Sequence, residues 1–267
     1  MTNHSAQELL QPERLTRELG PSIFSTRIIY HGIMDSTNRF AKELAVEGAP
    51  EGTLVLTEEQ TGGRGRRGRS WVSPGRENLL FSVLLRPGLP PERVFSLTMI
   101  LALSALEAVK RLSGLAPAIK WPNDLYGGKR KLGGILTEFS VRDKEVEWVV
   151  LGLGLNVNGR PEELAAQATC VAEETGMRVS RNKLVVEILK DLEAAYREIL
   201  ADNVEPFFAR WNEACFILGK EVEIEAAGER IPGKAIRIER DGALILETKE
   251  GALKRIVAGD VSLRLSS

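Results

Sequence analysis

The spacing of apolar residues changes repeatedly along this chain, and each change predicts an element. Pro12–Leu19 carries a helical period and stops at Gly20-Pro21. Ile28, Ile29 and Tyr30 predict a strand over residues 24–33. Asp35-Ser36-Thr37-Asn38 offers helix-start chemistry, and Phe40, Ala41, Leu44 and Ala45 line one face of a helix reaching about Val46. After the break at Gly48-Ala49-Pro50, residues 53–56 form a short strand. The apolar run NLLFSVLL, residues 78–85, predicts a buried strand closed by Pro87-Gly88. Residues 95–112 are apolar on most faces, as in a core helix packed under a sheet. Residues 118–122 and 134–139 predict strands on either side of a turn at residues 126–129, and residues 145–152 form another strand that ends in GLNVN. Residues 182–201 and 206–216 predict helices. Strands interleaved with helices in this way predict an α+β fold, a mixed sheet with packed helices, rather than a strict βαβ repeat.

Near Leu218 the period shortens to two. Val222/Ile224, Ile236/Ile238, Leu244/Leu246, Leu253 and Val261/Leu263 alternate, with turn signals at Gly228, Asp241-Gly242, Glu250-Gly251 and Gly259-Asp260. This predicts a small C-terminal β-barrel. Three units are expected: an N-terminal extension with a short helix over 1–21, a large domain over 22–217, and the barrel over 218–267. Gly228 to Lys234 has the spacing of a phosphate-binding loop, but Ala235 stands where a hydroxyl is needed and a strand follows, so it is set aside.

Composition excludes several classes. The 267 residues are 43% hydrophobic and 27% charged with a net charge of −1, an ordinary globular balance that argues against a dedicated nucleic-acid binder. Only His4 and His31 are present, too far apart for a zinc site or a histidine-based triad. Cys170 and Cys215 form no C-x-x-C pair, so a reducing cytoplasm is expected. The first residues lack a signal-peptide pattern. The longest apolar run, residues 94–109, is interrupted and too short to span a bilayer, so no membrane partner is expected.

The densest chemistry lies in TEEQTGGRGRRGRSW, residues 57–71, where positions 62–69 are only glycine and arginine. Clustered arginines repel unless an anion sits among them, and guanidinium–phosphate forks are strong. A loop of this kind should be mobile when empty and close over a phosphate. Three other readings compete. Gly63, Gly65 and Gly68 match the dinucleotide G-x-G-x-x-G, but Pro74-Gly75 follows instead of a helix. Arginine and glycine with a nearby aromatic suit single-stranded nucleic acid. A solvated charge run needs no ligand.

Three further clusters bear on the choice. Lys120-Trp121-Pro122-Asn123-Asp124, followed by Lys129 to Gly134, has the cations, carboxamide and carboxylate of a nucleotide–Mg²⁺ site, or of an ordinary hairpin tip. Glycine at alternate positions, Gly152 and Gly154, clears one strand face for a flat ligand, or marks a bulge. Asp35 to Asn38 could hold a small polar head group, or merely cap a helix.

Taken in order, D-S-T-N, Q-T-G-G-R-G-R-R-G-R-S-W, K-W-P-N-D with R-K-L-G-G-I-L, G-L-G-L-N-V-N and the terminal barrel resemble the biotin–protein ligases from about residue 22 onward. The resemblance implies a class II synthetase-like biotin/lipoate ligase core followed by an SH3-like barrel. It implies formation of biotinyl-5′-AMP from biotin and ATP, then transfer to a lysine of a biotin carboxyl carrier protein, a subunit of acetyl-CoA carboxylase. Carried over by motif, Ser36, Thr37 and Gln60 bind the biotin head group beside Asn38, and Gly134, Gly152 and Gly154 flank its rings. Gly63, Arg64, Gly65 and Arg66 hold the acyl and phosphate end. Lys131 and Arg66 are the catalytic pair, with Lys131 bridging carboxylate and α-phosphate. Arg67, Trp71, Lys120, Asn123, Asp124 and Asn156 contact ATP, and Asp124 holds Mg²⁺. The winged helix of the family's repressors finds no room before residue 22, so a ligase-only member without a DNA partner is expected. A homodimer through an open sheet edge is compatible with the family. Lipoate or octanoate ligases share the fold and remain the alternative, with a nucleic-acid-binding regulator as the reading from another class.

Overall fold

A computed structural model describes residues 8–72, 76–159, 167–226, 228–257 and 259–263. Pro74-Gly75 and His4 lie outside the described residues.

A seven-stranded mixed sheet carries the large unit, built from β1 (Ile28–Met34), β2 (Leu54–Gln60), β3 (Leu79–Leu85), β4 (Ala118–Lys120), β5 (Asp124–Gly127), β6 (Arg130–Arg142) and β7 (Glu145–Leu155). Its spatial order is β1-β2-β3-β7-β6-β5-β4. Among the described strands of this sheet only the β1–β2 pair is parallel. Among the described residues six α-helices accompany it: α1 (Pro12–Leu19), α2 (Thr37–Val46), α3 (Val94–Ser113), α4 (Val171–Thr175), α5 (Arg181–Leu200) and α6 (Glu205–Ala214).

Strand alternation divides the apolar side chains between two faces. Leu54, Leu56, Phe81, Val83, Leu151 and Leu153 join the core around α3 and α5. Val55, Leu84 and Val150 face α2, which packs through Ala41, Leu44 and Ala45. Near the N-terminus of α2 the second face is stripped of bulk: Gly134 pairs with Gly154, Leu136 with Gly152, and Gly152 with Ser82. The functional cavity lies on that thinned floor.

Among the described residues the C-terminal unit has five antiparallel strands: β8 (Glu221–Ala226), β9 (Glu229–Ile238), β10 (Leu244–Glu247), β11 (Leu253–Ile256) and β12 (Asp260–Leu263), in the order β11-β10-β9-β8-β12. One apolar cluster runs across both units, taking in Ile224, Ala235, Ile238 and Leu246 together with α3 and Trp121. Trp121 Nε1 donates to Gly242 O at 2.8 Å, and Phe95 packs so closely that a Cβ on Gly242 would lie 2.4 Å from its ring.

Several elements differ from the sequence expectation. Ile236, expected to point inward, is exposed, because Leu246 pairs with Ala235 and Ile245 with Arg237, leaving Ile236 as the extra residue of a β-bulge. β5 falls within a stretch that reads as turn: Tyr126 and Gly127 pair back to Lys131 and Arg130, and the turn itself is only Gly128-Lys129. β1 begins late because Ser22 caps a 3₁₀ turn over Ile23–Ser25. β2 continues to Gln60 and β7 to Leu155, each bringing a predicted site residue into the sheet.

Candidate active site

Ser36 caps α2, its Oγ accepting from Arg39 N at 3.5 Å. The Thr37 N–H donates to Gln60 Oε1 at 2.8 Å, and Thr37 Oγ1 lies 3.2 Å from the same oxygen. These bonds join the start of α2 to the end of β2 and set three polar side chains at one end of a cavity of about 780 Å³, open mouth included. Asn38 forms its wall, and Gly152 leaves room for it: a Cβ there would lie 1.8 Å from Asn38 Oδ1. At Gly154 a Cβ would lie 2.6 Å from Trp71 Cε2, so the indole covers the next clearing. Gly134 borders the same floor beside Asp124 and Lys131.

The arginine loop folds over the cavity as a tight hairpin. Trp71 N donates to Gly63 O at 2.9 Å and Gly65 N to Arg69 O at 2.7 Å, around a 3₁₀ turn at Arg66–Gly68. Composition marks this loop as mobile when empty, yet here it has a counter-anion the local sequence does not reveal. Asp260, on β12, lies 2.5 Å from Arg69 and 3.4 Å from Arg67. Arg66 reaches the other way, to Asn123 Oδ1 at 3.3 Å. Asn123 is itself fixed through its amide nitrogen to Ile135 O.

At this end Lys131 Nζ lies 2.7 Å from Asp124 Oδ1 and 5.7 Å from the Trp71 ring centroid. Four cationic side chains (Arg64, Arg66, Arg69 and Lys131) line the cavity against two carboxylates, Asp124 and Asp260. Burial pushes the Arg66 guanidinium below its usual value, Asp260 opposes that, and Arg67 adds to it. Lys120 is likewise lowered by burial, with Asp124 and Asp260 opposing. These groups carry positive charge that protein carboxylates do not fully offset, which is what an anion site requires.

Four expected residues lie outside the lining. Gly63 sits beneath the hairpin, where a Cβ would lie 2.5 Å from Trp71 O. Arg67, at φ 55°, turns to the C-terminal sheet, bonding Glu225 O and Asp260. Lys120 Nζ bonds Tyr126 Oη at 3.2 Å. Asn156 is buried behind the floor, donating to Thr169 O at 3.0 Å while its Oδ1 has no partner among the described residues. Conversely, Arg69, Ser70, Ile135, Leu136, Leu153 and Asp260 line the cavity without having been singled out from the sequence. The only trace of Asp260 there was its place in a turn signal.

No cluster of three or more His, Cys, Asp or Glu side chains is arranged for a metal among the described residues. Asp124, beside the cationic end, suits an ion held mainly by phosphate oxygens and water, as Mg²⁺ is with a nucleotide. No described helix is long and apolar enough to cross a membrane.

Comparison with known proteins gives the family. Residues 31–156 match the model of the biotin/lipoate A/B protein ligase family, and residues 217–264 that of the biotin protein ligase C-terminal domain. The bifunctional ligase/repressor BirA of Bacillus subtilis is 34% identical over 249 residues, 92% of this chain and 76% of that protein. The biotin–[acetyl-CoA-carboxylase] ligase of Mycobacterium tuberculosis is 34% identical over 233 residues, 85% of each. The structure of the Aquifex aeolicus biotin protein ligase in complex with biotin and ATP superposes with a TM-score of 0.74 at 31% identity, covering 90% of this chain and all of that one.

Proposed function

This chain belongs to the biotin/lipoate A/B protein ligase family, and we infer that it is an ATP-dependent biotin–protein ligase. The observation that carries the reading is the division of one cavity into two ends. One end is neutral and hydrogen-bonding, built by Ser36, Thr37 and Gln60; the other is cationic, built by Arg66 and Lys131. Biotin has that division, with a ureido ring at one end and a carboxylate at the other. A dithiolane ring such as lipoate's would leave the polar groups of the neutral end unpaired, at about 1–3 kcal/mol for each buried group.

In the first half-reaction a carboxylate oxygen of biotin attacks the α-phosphorus of ATP and pyrophosphate leaves. Two anions must approach, so their mutual repulsion has to be screened. Lys131 bridges the carboxylate and the α-phosphate, and Arg66 holds the phosphate from the hairpin side. Asn123 and Asp124 would position the triphosphate, and Asp124 would hold an accompanying Mg²⁺, which would screen the phosphate charge. Arg67, Lys120 and Trp71 complete the nucleotide side. Asn156, whose oxygen has no partner among the described residues, stands behind it. In the second half-reaction a carrier-protein lysine attacks the acyl carbon and AMP leaves, so this chain needs no nucleophile of its own. Until then the mixed anhydride must be kept from water, and the hairpin with Trp71 covers the floor where it forms.

The carrier that best fits is the biotin carboxyl carrier subunit of acetyl-CoA carboxylase. β1 supplies an open edge, exposed at His31, Gly32 and Ile33, through which two copies could pair. We read residues 218–267 as the second domain, with Asp260 on β12 holding the hairpin. Pyrophosphate release with ATP and either biotin or lipoate tests the assignment, together with mass measurement of a carrier domain. Biotin-dependent release and a carrier heavier by one biotinyl group are expected; release with lipoate alone would overturn the reading.

A further inference from the structure

β3 is apolar at every position but one. Ser82 is fully buried and faces α2 from the strand next to Gly152, without lining the cavity. Its Oγ lies 2.7 Å from Asn38 Oδ1 and 2.8 Å from Thr37 Oγ1. We propose that Ser82 is a specificity-determining positioning residue: it fixes which groups at the neutral end of the cavity donate and which accept, and so tunes that end to a ureido ring. The inference rests on the biotin reading above.

Proton counting gives the order. The Asn38 amide nitrogen donates both its hydrogens, to Leu136 O and to Glu138 Oε2, each at 3.1 Å. The other Glu138 oxygen accepts from Lys42 at 2.6 Å, so the carboxylate is bonded as an acceptor on both sides. Asn38 Oδ1 therefore faces Ser82, and an amide oxygen can only accept. The single Ser82 proton goes to it. Ser82 then meets Thr37 with a lone pair, and at 2.8 Å two lone pairs would repel; the other acceptor open to the Thr37 hydroxyl, Gln60 Oε1, is more distant at 3.2 Å and already held by the Thr37 N–H, so proton counting turns the hydroxyl to Ser82. With its proton committed, Thr37 shows only lone pairs to the cavity. Gln60 Oε1 is held by the Thr37 N–H, which leaves the Gln60 amide nitrogen as a donor. An acceptor at Thr37 beside a donor at Gln60 complements a ring N–H beside a ring carbonyl.

Ser82→Ala removes the acceptor for Thr37 and the donor for Asn38, so the Thr37 proton is free to turn. The expected result is a rise of about tenfold in KM for biotin, with kcat at saturating biotin and KM for ATP within about twofold of the parent. The preference for biotin over an analogue methylated at its ring nitrogens should shrink in parallel, which a loss of packing alone would not cause. Unchanged biotin KM in a folded Ser82→Ala protein overturns the proposal. If that variant does not fold, Glu138→Leu serves instead: it is partly exposed and removes one of the two acceptors that orient Asn38, and an unchanged biotin KM there is equally fatal. The parent is the control for the underlying reading. No biotin-dependent pyrophosphate release from it overturns the ligase assignment and this inference together, whereas an active parent with an indifferent Ser82→Ala overturns this inference alone.

Discussion

Asp260 and Arg69 join the two units across the cavity mouth: Arg69 Nη2 lies 2.5 Å from Asp260 Oδ2, although 191 positions separate them in the chain. Arg67 approaches the same oxygen at 3.4 Å. Arg69 is exposed and Asp260 partly so, and solvent screening leaves the pair about 1 kcal/mol of stability. Its effect is local: it holds the hairpin tip in place before any phosphate arrives. Asp260→Asn should leave the melting temperature nearly unchanged while speeding tryptic cleavage at residues 66–69 of the free protein, and biotin plus ATP should restore protection. Equal cleavage rates in parent and variant would show that the tether is idle.

Lys131 and Arg66 separate making the adenylate from keeping it. Lys131→Ala removes the cation nearest Asp124 at a partly exposed position, so the core is untouched. Adenylate formation should fall by about 10²–10³-fold, the usual cost of losing one preorganised electrostatic contact. Arg66→Gly should retain the fold and much of the synthesis but release biotinyl-5′-AMP to solvent, because Arg66 links the hairpin to Asn123 at 3.3 Å. Retention of labelled adenylate after rapid gel filtration measures this, and retention equal to the parent's contradicts a covering role.

Lys120 makes the nucleotide side sensitive to pH. Burial lowers its pKa from the ordinary 10.5, whereas the unfolded chain keeps the ordinary value. Between the two the unfolded chain binds more protons, so the stability of the free protein rises with pH across that window. A phosphate bound nearby favours the charged form and raises the value again. Nucleotide binding in that alkaline window should therefore take up protons, seen as a dependence of the calorimetric enthalpy on buffer ionisation enthalpy. Lys120→Met should abolish the dependence; its survival would place the proton elsewhere.

The readable parts of this molecule are those set by local order. The apolar run of β3, the capping chemistry of Ser36 and the alternation of β8 each reflect a preference that neighbours along the chain enforce. The motif residues Ser36, Thr37, Gln60, Arg66, Asn123 and Lys131 do converge on one cavity. What escaped depends on partners far away in sequence. Ile236 is turned outward by the register of β10, β5 exists through pairing on both its edges, and Asp260 acquires meaning only where β12 meets the hairpin. Ser82 was visible as the one hydroxyl in an apolar strand, but its partners on α2 were not.

Gly152 and Gly154 look alike in the sequence yet make room for different things, and alanine at each should fail differently. A Cβ at Gly152 would stand 1.8 Å from Asn38 Oδ1 and 2.7 Å from Cγ, with Asn38 anchored by Leu136 O, Glu138 and Ser82. Asn38 must leave its bonds, so Gly152→Ala should weaken biotin binding and also lower stability by about 1–3 kcal/mol, the range for overpacking and a broken buried polar network. At Gly154 the intruding methyl meets the Trp71 ring at 2.6 Å. Trp71 belongs to the hairpin and its Nε1 has no partner among the described residues, so no side-chain hydrogen bond among them has to break when the ring moves. Gly154→Ala should keep the parent's melting temperature but displace the hairpin, raising adenylate leakage more than the biotin dissociation constant. Calorimetric binding, thermal melting and adenylate retention distinguish the two. Matching losses in all three would mean that both glycines serve one undivided floor, and the separation between wall and cover would not stand.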